Sequence, residues 1–234
     1  MRTSTRCWRL CWRRPLKAEA DGFEDSSTPG ASLTAYYTDR YSKPMTTDAR
    51  ADILAAALTL FAGRGYDAVG VAEVCETAGI TKPTLYHYFG SKQGLLDALV
   101  EEQGSPLLAA QAEAATYARD LVLTLERIAR AEFDFAVRHR AFERMLLALA
   151  FAPPESEGYA SVARLHGRRH DTLEVLFRAA AADHGNLRGR HRTYAATFLG
   201  MINTYIGLAL NGHVELDDQL AHRAVKQFMH GIFA

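Results

Sequence analysis

Between Gly79 and Lys92 the chain reads Gly-Ile-Thr-Lys-Pro-Thr-Leu-Tyr-His-Tyr-Phe-Gly-Ser-Lys. The residue types and spacing of this stretch point to a chemistry. Thr81 is a good helix N-cap, and Pro83 suits a first turn, where its missing N–H would be unpaired anyway. Leu85 and Phe89, four apart, can anchor a short helix to a core. That leaves Lys82, Thr84, Tyr86, His87 and Tyr88 to share the outward faces. A helix of one or two turns with hydroxyl and cationic groups near its start is the shape that enters a major groove. Ser91 caps the next helix, and the free backbone N–H groups there, with Lys92, make a corner suited to phosphate.

Other candidate chemistries are weaker. The sequence contains no Gly-rich phosphate loop, no G-x-S-x-G elbow, no H-E-x-x-H and no Cys-His pairing in a fitting context, so it reads as a protein that is not an enzyme and takes no cofactor. His166 and His170 share one helical face in His-Gly-Arg-Arg-His. With two arginines between them, they read as a solvated or phosphate-facing edge rather than a metal pair. Cys75 reads as a small core residue. Cys7 and Cys11 lack the further ligands a metal site needs, and three cysteines favour a reducing compartment, hence the cytoplasm.

The elements that must position the Gly79–Lys92 segment are helices. From Thr47 onward the apolar period is helical nearly throughout, with no alternating strand run, so the fold class is all-α. A first helix is expected from about Thr47 to Arg64, with Thr46 or Thr47 as its cap, Ile53, Ala57, Leu60 and Phe61 as its buried stripe, and Gly65 at its end. A short second helix follows from Val71 to Ala78 and stops at Gly79. Short helix, glycine turn and second short helix form the helix-turn-helix arrangement. The helix after Ser91 should run toward Glu102, with Gly104-Ser105-Pro106 marking a kink or break. Later helices are expected at about 120–138, 141–151, 157–184, 189–211 and 217–233.

Residues 47–107 closely resemble the DNA-binding head of the tetracycline-repressor (TetR) family, and Ile80-Thr-Lys-Pro-Thr-Leu-Tyr-His-Tyr-Phe-Gly-Ser-Lys-Gln-Gly-Leu-Leu96 is similar to that family's signature. The resemblance covers about a quarter of the chain. It implies that 70–89 is the helix-turn-helix, with Thr81, Lys82, Thr84, Tyr86 and His87 toward bases or phosphates and Tyr88 and Lys92 on the backbone. Gly94 stands where the family often has an acid three residues after the Ser cap, which implies a looser start to that helix. The family also implies a ligand-responsive repressor of palindromic sites. The alternative is a helical adaptor that uses the head for protein contacts.

The domain reading is a 46–107 head and a 108–234 regulatory and dimerisation body. On the helix at 189–211, Ala196, Gly200, Thr204 and Gly207 form a small-residue stripe. The last helix shows Leu220, Ala224, Val225, Phe228, Met229 and Ile232. Together they suggest a four-helix homodimer interface, unless both stripes are buried within one subunit. A pocket for an unknown small-molecule inducer is expected among Phe133, Phe142, Met145, Leu146, Leu149, Tyr159, Leu176, Tyr194, Phe198, Met201 and Tyr205, positions that ordinary core would also fill.

The 234 residues carry 27 basic and 27 acidic side chains, and the zero sum hides a distribution. Residues 1–45 hold 8 basic and 5 acidic groups, residues 46–110 hold 4 and 8, and the remainder holds 15 and 14. The first segment lacks an apolar period and reads as a disordered basic arm, or as sequence upstream of a start at Met45. No membrane span is expected, since the longest apolar stretch, near Met201–Leu210, falls far short of about 20 residues. An acidic head predicts weak non-specific adhesion to DNA, because each neutralised phosphate adds about 0.9 to the salt slope.

Overall fold

The computed structural model describes residues 49–231, and every structural statement concerns those. The expected basic arm, the caps at Thr46 and Thr47, and Ile232 lie outside the described residues. The described chain is helical, with no strand among the described residues. Its helices are α1 (Ala49–Arg64), α2 (Val71–Ala78), α3 (Lys82–Phe89), α4 (Lys92–Ala114), α5 (Leu121–Arg138), α6 (Arg140–Ala150), α7 (Glu157–Ala180), α8 (His191–Leu210) and α9 (Asp218–His230). A 3-10 turn, Gly185–Leu187, sits between α7 and α8.

Local rules account for most of these boundaries. Asp120, Ser156 and Asp217 each turn a side-chain oxygen onto the backbone N–H three residues on, capping α5, α7 and α9. After α1, Gly65 takes a left-handed φ of 87°. Tyr66 then folds back until its ring meets Phe61 edge-on at 5.2 Å. At the far end of the body, Arg140 donates to the Ala209 carbonyl at 3.2 Å and Arg144 to that of Leu210 at 2.7 Å. Two cations thereby close the negative end of α8, which carries no basic residue in its own last turn.

Three expectations are corrected. The helix after Ser91 does not break at Gly104-Ser105-Pro106; α4 continues to Ala114 with Pro106 inside it. Tertiary packing overrides the local signal, because Gly104 and Leu107 are buried on the same run. A Cβ on Gly104 would lie 2.9 Å from Leu165 Cδ1, so the glycine serves close approach to α7 rather than a break. Second, α7 ends at Ala180 instead of 184, and the turn that follows inserts Leu187 into the body core. Third, Gly94 does not loosen the start of α4. Ser91 Oγ accepts the Gly94 N–H at 2.9 Å, and any Cβ at Gly94 would collide with the Phe89 carbonyl oxygen. Glycine is what that corner requires.

Two hydrophobic clusters hold the helices. One joins Ile53, Phe61, Leu85, Leu95 and Leu99 of the head to Phe142, Met145, Leu149, Val162 and Leu165. The other gathers Leu125, Phe133, Leu173, Phe177, Phe198, Ile202, Leu220 and Val225. Position 107 falls inside α4 and inside the first cluster, so one core runs across it. No described helix is long and apolar enough to cross a membrane.

Candidate nucleic-acid interface

The interface is built from the turn upward. Gly70 opens α2, and Glu73 reaches back so that its Oε1 accepts the Gly70 N–H at 3.0 Å. Glu73 also pairs with Arg64, and these two contacts hold its carboxyl below the usual range, the backbone bond contributing most. Gly79 adopts a left-handed φ of 66°, and the Ile80 N–H returns to the Cys75 carbonyl at 3.0 Å, which reverses the chain. Cys75 is buried, and burial pushes its thiol up, as befits a core residue. Thr81 then caps α3, its Oγ1 accepting the Thr84 N–H at 3.4 Å and lying 2.9 Å from the Thr84 hydroxyl.

Leu85 is fully buried and Phe89 half-buried, so the opposite surface of α3 is presented outward. Lys82, Tyr86, His87 and Tyr88 are exposed together there, Tyr86 at 46% and Tyr88 at 39%. Large aromatic rings this exposed need a reason, and contact with a partner is one. Gly90 closes the helix at a φ of 71°. Lys92, expected on the backbone, stands at the first position of α4 with its ammonium 4.1 Å from the centre of the Tyr66 ring. Arg50 pairs with Glu102 at 2.5 Å and Arg64 with Glu73. Among the described residues of the head, Lys82 is therefore the one cation without an ionic or aromatic partner. Two of the head's acids, Asp97 and Glu101, line a groove of about 370 Å³ against Arg164 and Arg168 of α7, on the side facing the body.

The candidate pocket residues are not gathered into one cavity. Phe142, Met145, Leu146 and Leu149 lie in the first core, while Phe133, Leu176 and Phe198 lie in the second, with Tyr194, Met201 and Tyr205 packed on its edge. Tyr159 is half-buried near the start of α7. The dimer stripe divides as well. Ala196, Gly200 and Thr204 of α8 are exposed and Gly207 half-exposed, whereas Leu220, Ala224 and Val225 of α9 are buried in their own subunit's core.

The His-Gly-Arg-Arg-His segment is not a solvated edge, and this is a correction. His166 and His170 are half-buried, and Arg169 between them is fully buried. Burial, with help from Arg169, holds the His166 imidazole down to about 4, and His170 is lowered in the same way. No cluster of three metal-ligating side chains occurs among the described residues. Arg169 instead pairs with Glu132 at 2.6 Å, and Glu143 is buried at 0% exposure nearby. Sequence reasoning missed these three residues. The available signal was periodicity: Arg169 interrupts the run Val162, Leu165, Leu173, Leu176, and Glu143 interrupts Phe142, Met145, Leu146.

Residues 53–99 match the sequence profile of "Bacterial regulatory proteins, tetR family". The chain is similar to the HTH-type transcriptional activator FasR of Mycolicibacterium smegmatis, 35% identical over 86 residues, which are 37% of this chain and 39% of that protein. It is also similar to the HTH-type transcriptional repressor BdcR of Escherichia coli, 49% identical over 49 residues, 21% of this chain and 25% of the relative. The matches thus span only a quarter to two fifths of these relatives' lengths. In three dimensions the chain resembles the crystal structure of PfmR, a TetR family transcriptional regulator from Thermus thermophilus. The TM-score is 0.61 at 25% identity, over 78% of this chain and 99% of the other.

Proposed function

We propose, from the match of residues 53–99 to the tetR family of bacterial regulatory proteins, that this chain belongs to that family and is a sequence-specific DNA-binding regulator of transcription. The observation that carries this reading is the outward face of α3, where Lys82, Tyr86, His87 and Tyr88 stand exposed on a helix anchored by Leu85. Thr81, Thr84 and Lys82 crowd its N-terminal end, where the helix dipole adds to the attraction for phosphate and base edges. Tyr88 reaches the sugar-phosphate backbone beside them. The Ser91–Lys92 start of α4 sits against a second phosphate, with Tyr66 steadying the Lys92 ammonium.

The active form is a homodimer, in the cytoplasm. The exposed small-residue face of α8, at Ala196, Gly200 and Thr204, lets a second copy approach closely, which fits a two-fold pairing. Such a pair sets two α3 helices about 34–36 Å apart, in successive major grooves of a palindrome. The head at 46–107 reads DNA, and the body at 108–234 holds the dimer and a small-molecule inducer. Binding of that inducer favours a head spacing unsuited to the operator, so the protein acts as a repressor. A coupling of about 1–3 kcal/mol changes operator affinity roughly 5–150-fold. The seat for that inducer belongs to the body, among the candidate residues of either core, such as Phe142 and Met145 in the first or Phe133, Phe198, Met201 and Tyr205 in the second. DNA binding rather than catalysis is the activity assigned to this chain.

A fluorescence anisotropy titration against the DNA flanking the protein's own gene tests the reading. Tight, sequence-selective binding at moderate salt is expected. Lys82→Ala should weaken it and reduce the salt slope by about 0.9. Tyr86→Ala should weaken it with little change in that slope. No selective binding by the wild type, or unchanged affinity in both variants, sinks the assignment.

A further inference from the structure

A polar cluster closed off from solvent lies where α5, α6, α7 and α8 meet. Arg169 of α7 donates from Nη2 to Glu132 Oε2 at 2.6 Å and to Asn203 Oδ1 at 3.4 Å. Its Nε and Nη1, although buried, reach no protein acceptor. Glu143 of α6 is fully buried, and neither of its carboxylate oxygens has a protein partner. Arg169 and Glu132 are the charges that act on it. His166 adds no positive charge, being held neutral by burial and by Arg169. The balance is therefore two carboxylates against one guanidinium. Burial raises the Glu132 carboxyl as well, against the pull of Arg169, and Arg169 is thus the one cation that both carboxyls share. Its neighbours on α6, Phe142, Met145 and Leu146, are buried hydrocarbon. A carboxyl in such a place costs folding and gains nothing in return unless something binds it.

We propose that the Glu132–Glu143–Arg169 cluster recognises a small organic cation, an amidinium, guanidinium or ammonium on a compact apolar frame. Its effect on DNA rests on the regulator reading above, but its binding does not. An anion at Arg169 would set three negative charges against one positive, whereas a cation at Glu143 brings the buried sum to zero. Burial pushes Glu143 up to about 7, so near neutrality its carboxyl is about half protonated. Binding then exchanges one ion for another: the cation enters, and the Glu143 proton leaves to solvent. The route of entry we assign is the groove between α4 and α7, whose wall includes Leu165 and Arg168. Opening that groove moves α4, which begins at the Ser91–Lys92 corner, and this connects the cluster to the DNA face.

Benzamidinium is the probe, with benzyl alcohol and benzoate as neutral and anionic counterparts, on the full chain. Benzamidinium alone should raise the thermal midpoint. Calorimetry in two buffers of different ionisation heat should show close to one proton released per ligand at pH 6 and almost none at pH 8. Apparent affinity should rise about tenfold across that interval, in the direction of Glu143 deprotonation. Glu143→Gln, checked for helicity by circular dichroism, should lose both the preference for the cation and the proton release. If that variant fails to fold, the wild-type proton count alone decides. Stabilisation by benzoate as large as by benzamidinium, or cation binding without proton release at pH 6, overturns the proposal. A parallel titration with DNA separates the two readings. Cation binding without DNA binding overturns only the regulator, and DNA binding without cation binding overturns only this site.

Discussion

Glu143 and His166 are displaced in opposite senses, one upward to about 7 and the other downward to about 4, mainly by burial. Their consequences for stability also oppose each other. Glu143 holds its proton more tightly folded than unfolded, so its contribution is full below about 4.5 and is lost as pH rises through about 7. His166 resists protonation when folded, so its contribution is full above about 6.5 and is lost as pH falls through about 4. Across pH 4.5–6.5 these two slopes oppose each other, as do those of the raised Glu132 and the lowered His170, and the wild type should depend on pH less than either single variant there. Glu143→Gln should remove one falling slope, so that stability rises more steeply between pH 4 and 6.5 than in the wild type, with His166 and His170 driving the rise and Glu132 opposing it. His166→Gln should remove one rising slope, with the opposite effect. Urea denaturation at half-unit pH steps measures both. A wild-type profile steeper than that of either variant in the middle window would show that the two groups do not oppose each other.

At the scale of elements, glycine positions that look alike in sequence are predicted to behave in opposite ways. Gly104 and Gly167 both lie inside long helices. A Cβ at 104 would press within 2.9 Å of Leu165, whereas one at 167 would meet nothing within 4 Å. Gly104→Ala should cost about 1–3 kcal/mol through overpacking of α4 on α7. Gly167→Ala should stabilise by about 0.5–1 kcal/mol, through helix propensity alone. Denaturant midpoints decide, and a stabilising Gly104→Ala would show that α4 and α7 can separate at no cost. The same α4–α7 contact explains why a Gly-Ser-Pro triplet did not end a helix. The missing Pro106 N–H and its ring carry a cost of about 3 kcal/mol in a helix interior. Burial of Leu107 beyond it, and the close approach of Gly104 to Leu165, are what the break would have forfeited.

At the scale of the whole molecule, head and body are joined by a specific contact as well as by shared core. The Tyr66 hydroxyl donates to Glu157 Oε2 at 2.7 Å, from the α1–α2 turn to the first residue of α7. The same ring lies beneath Lys92. Burial and the Glu157 carboxylate raise the Tyr66 phenol, so it remains a donor throughout the physiological range. Assembly is the other property at this scale. Gly200 of α8 has open space where a side chain would stand. Within one subunit Gly200→Leu should therefore fold normally, yet it should block close pairing of two copies. Sedimentation should find a monomer with unchanged helicity, and DNA affinity should fall with it. An intact dimer would move the interface off the α8 stripe.

Sequence alone determined the helical class, the caps at Thr81 and Ser91, the reversal at Gly79 and, apart from the half-buried Thr84, the exposure of Lys82, Tyr86, His87 and Tyr88 on α3. Each of these is settled within four or five residues of chain, by capping, glycine conformation and the 3.6-residue period. Tertiary structure decided the rest. Whether Gly104 ends a helix or admits Leu165 depends on α7, some sixty residues away. Whether the apolar face of α9 meets a partner or its own α5 depends on which surface α5 presents, and Leu220 and Val225 lie in the core that α5 helps to build. The buried group of Glu132, Glu143 and Arg169 comes from three helices, in each of which the charged residue only interrupts an apolar stripe. A charge becomes a site when remote helices exclude water around it, and that exclusion is a property of packing that no local stretch of sequence contains.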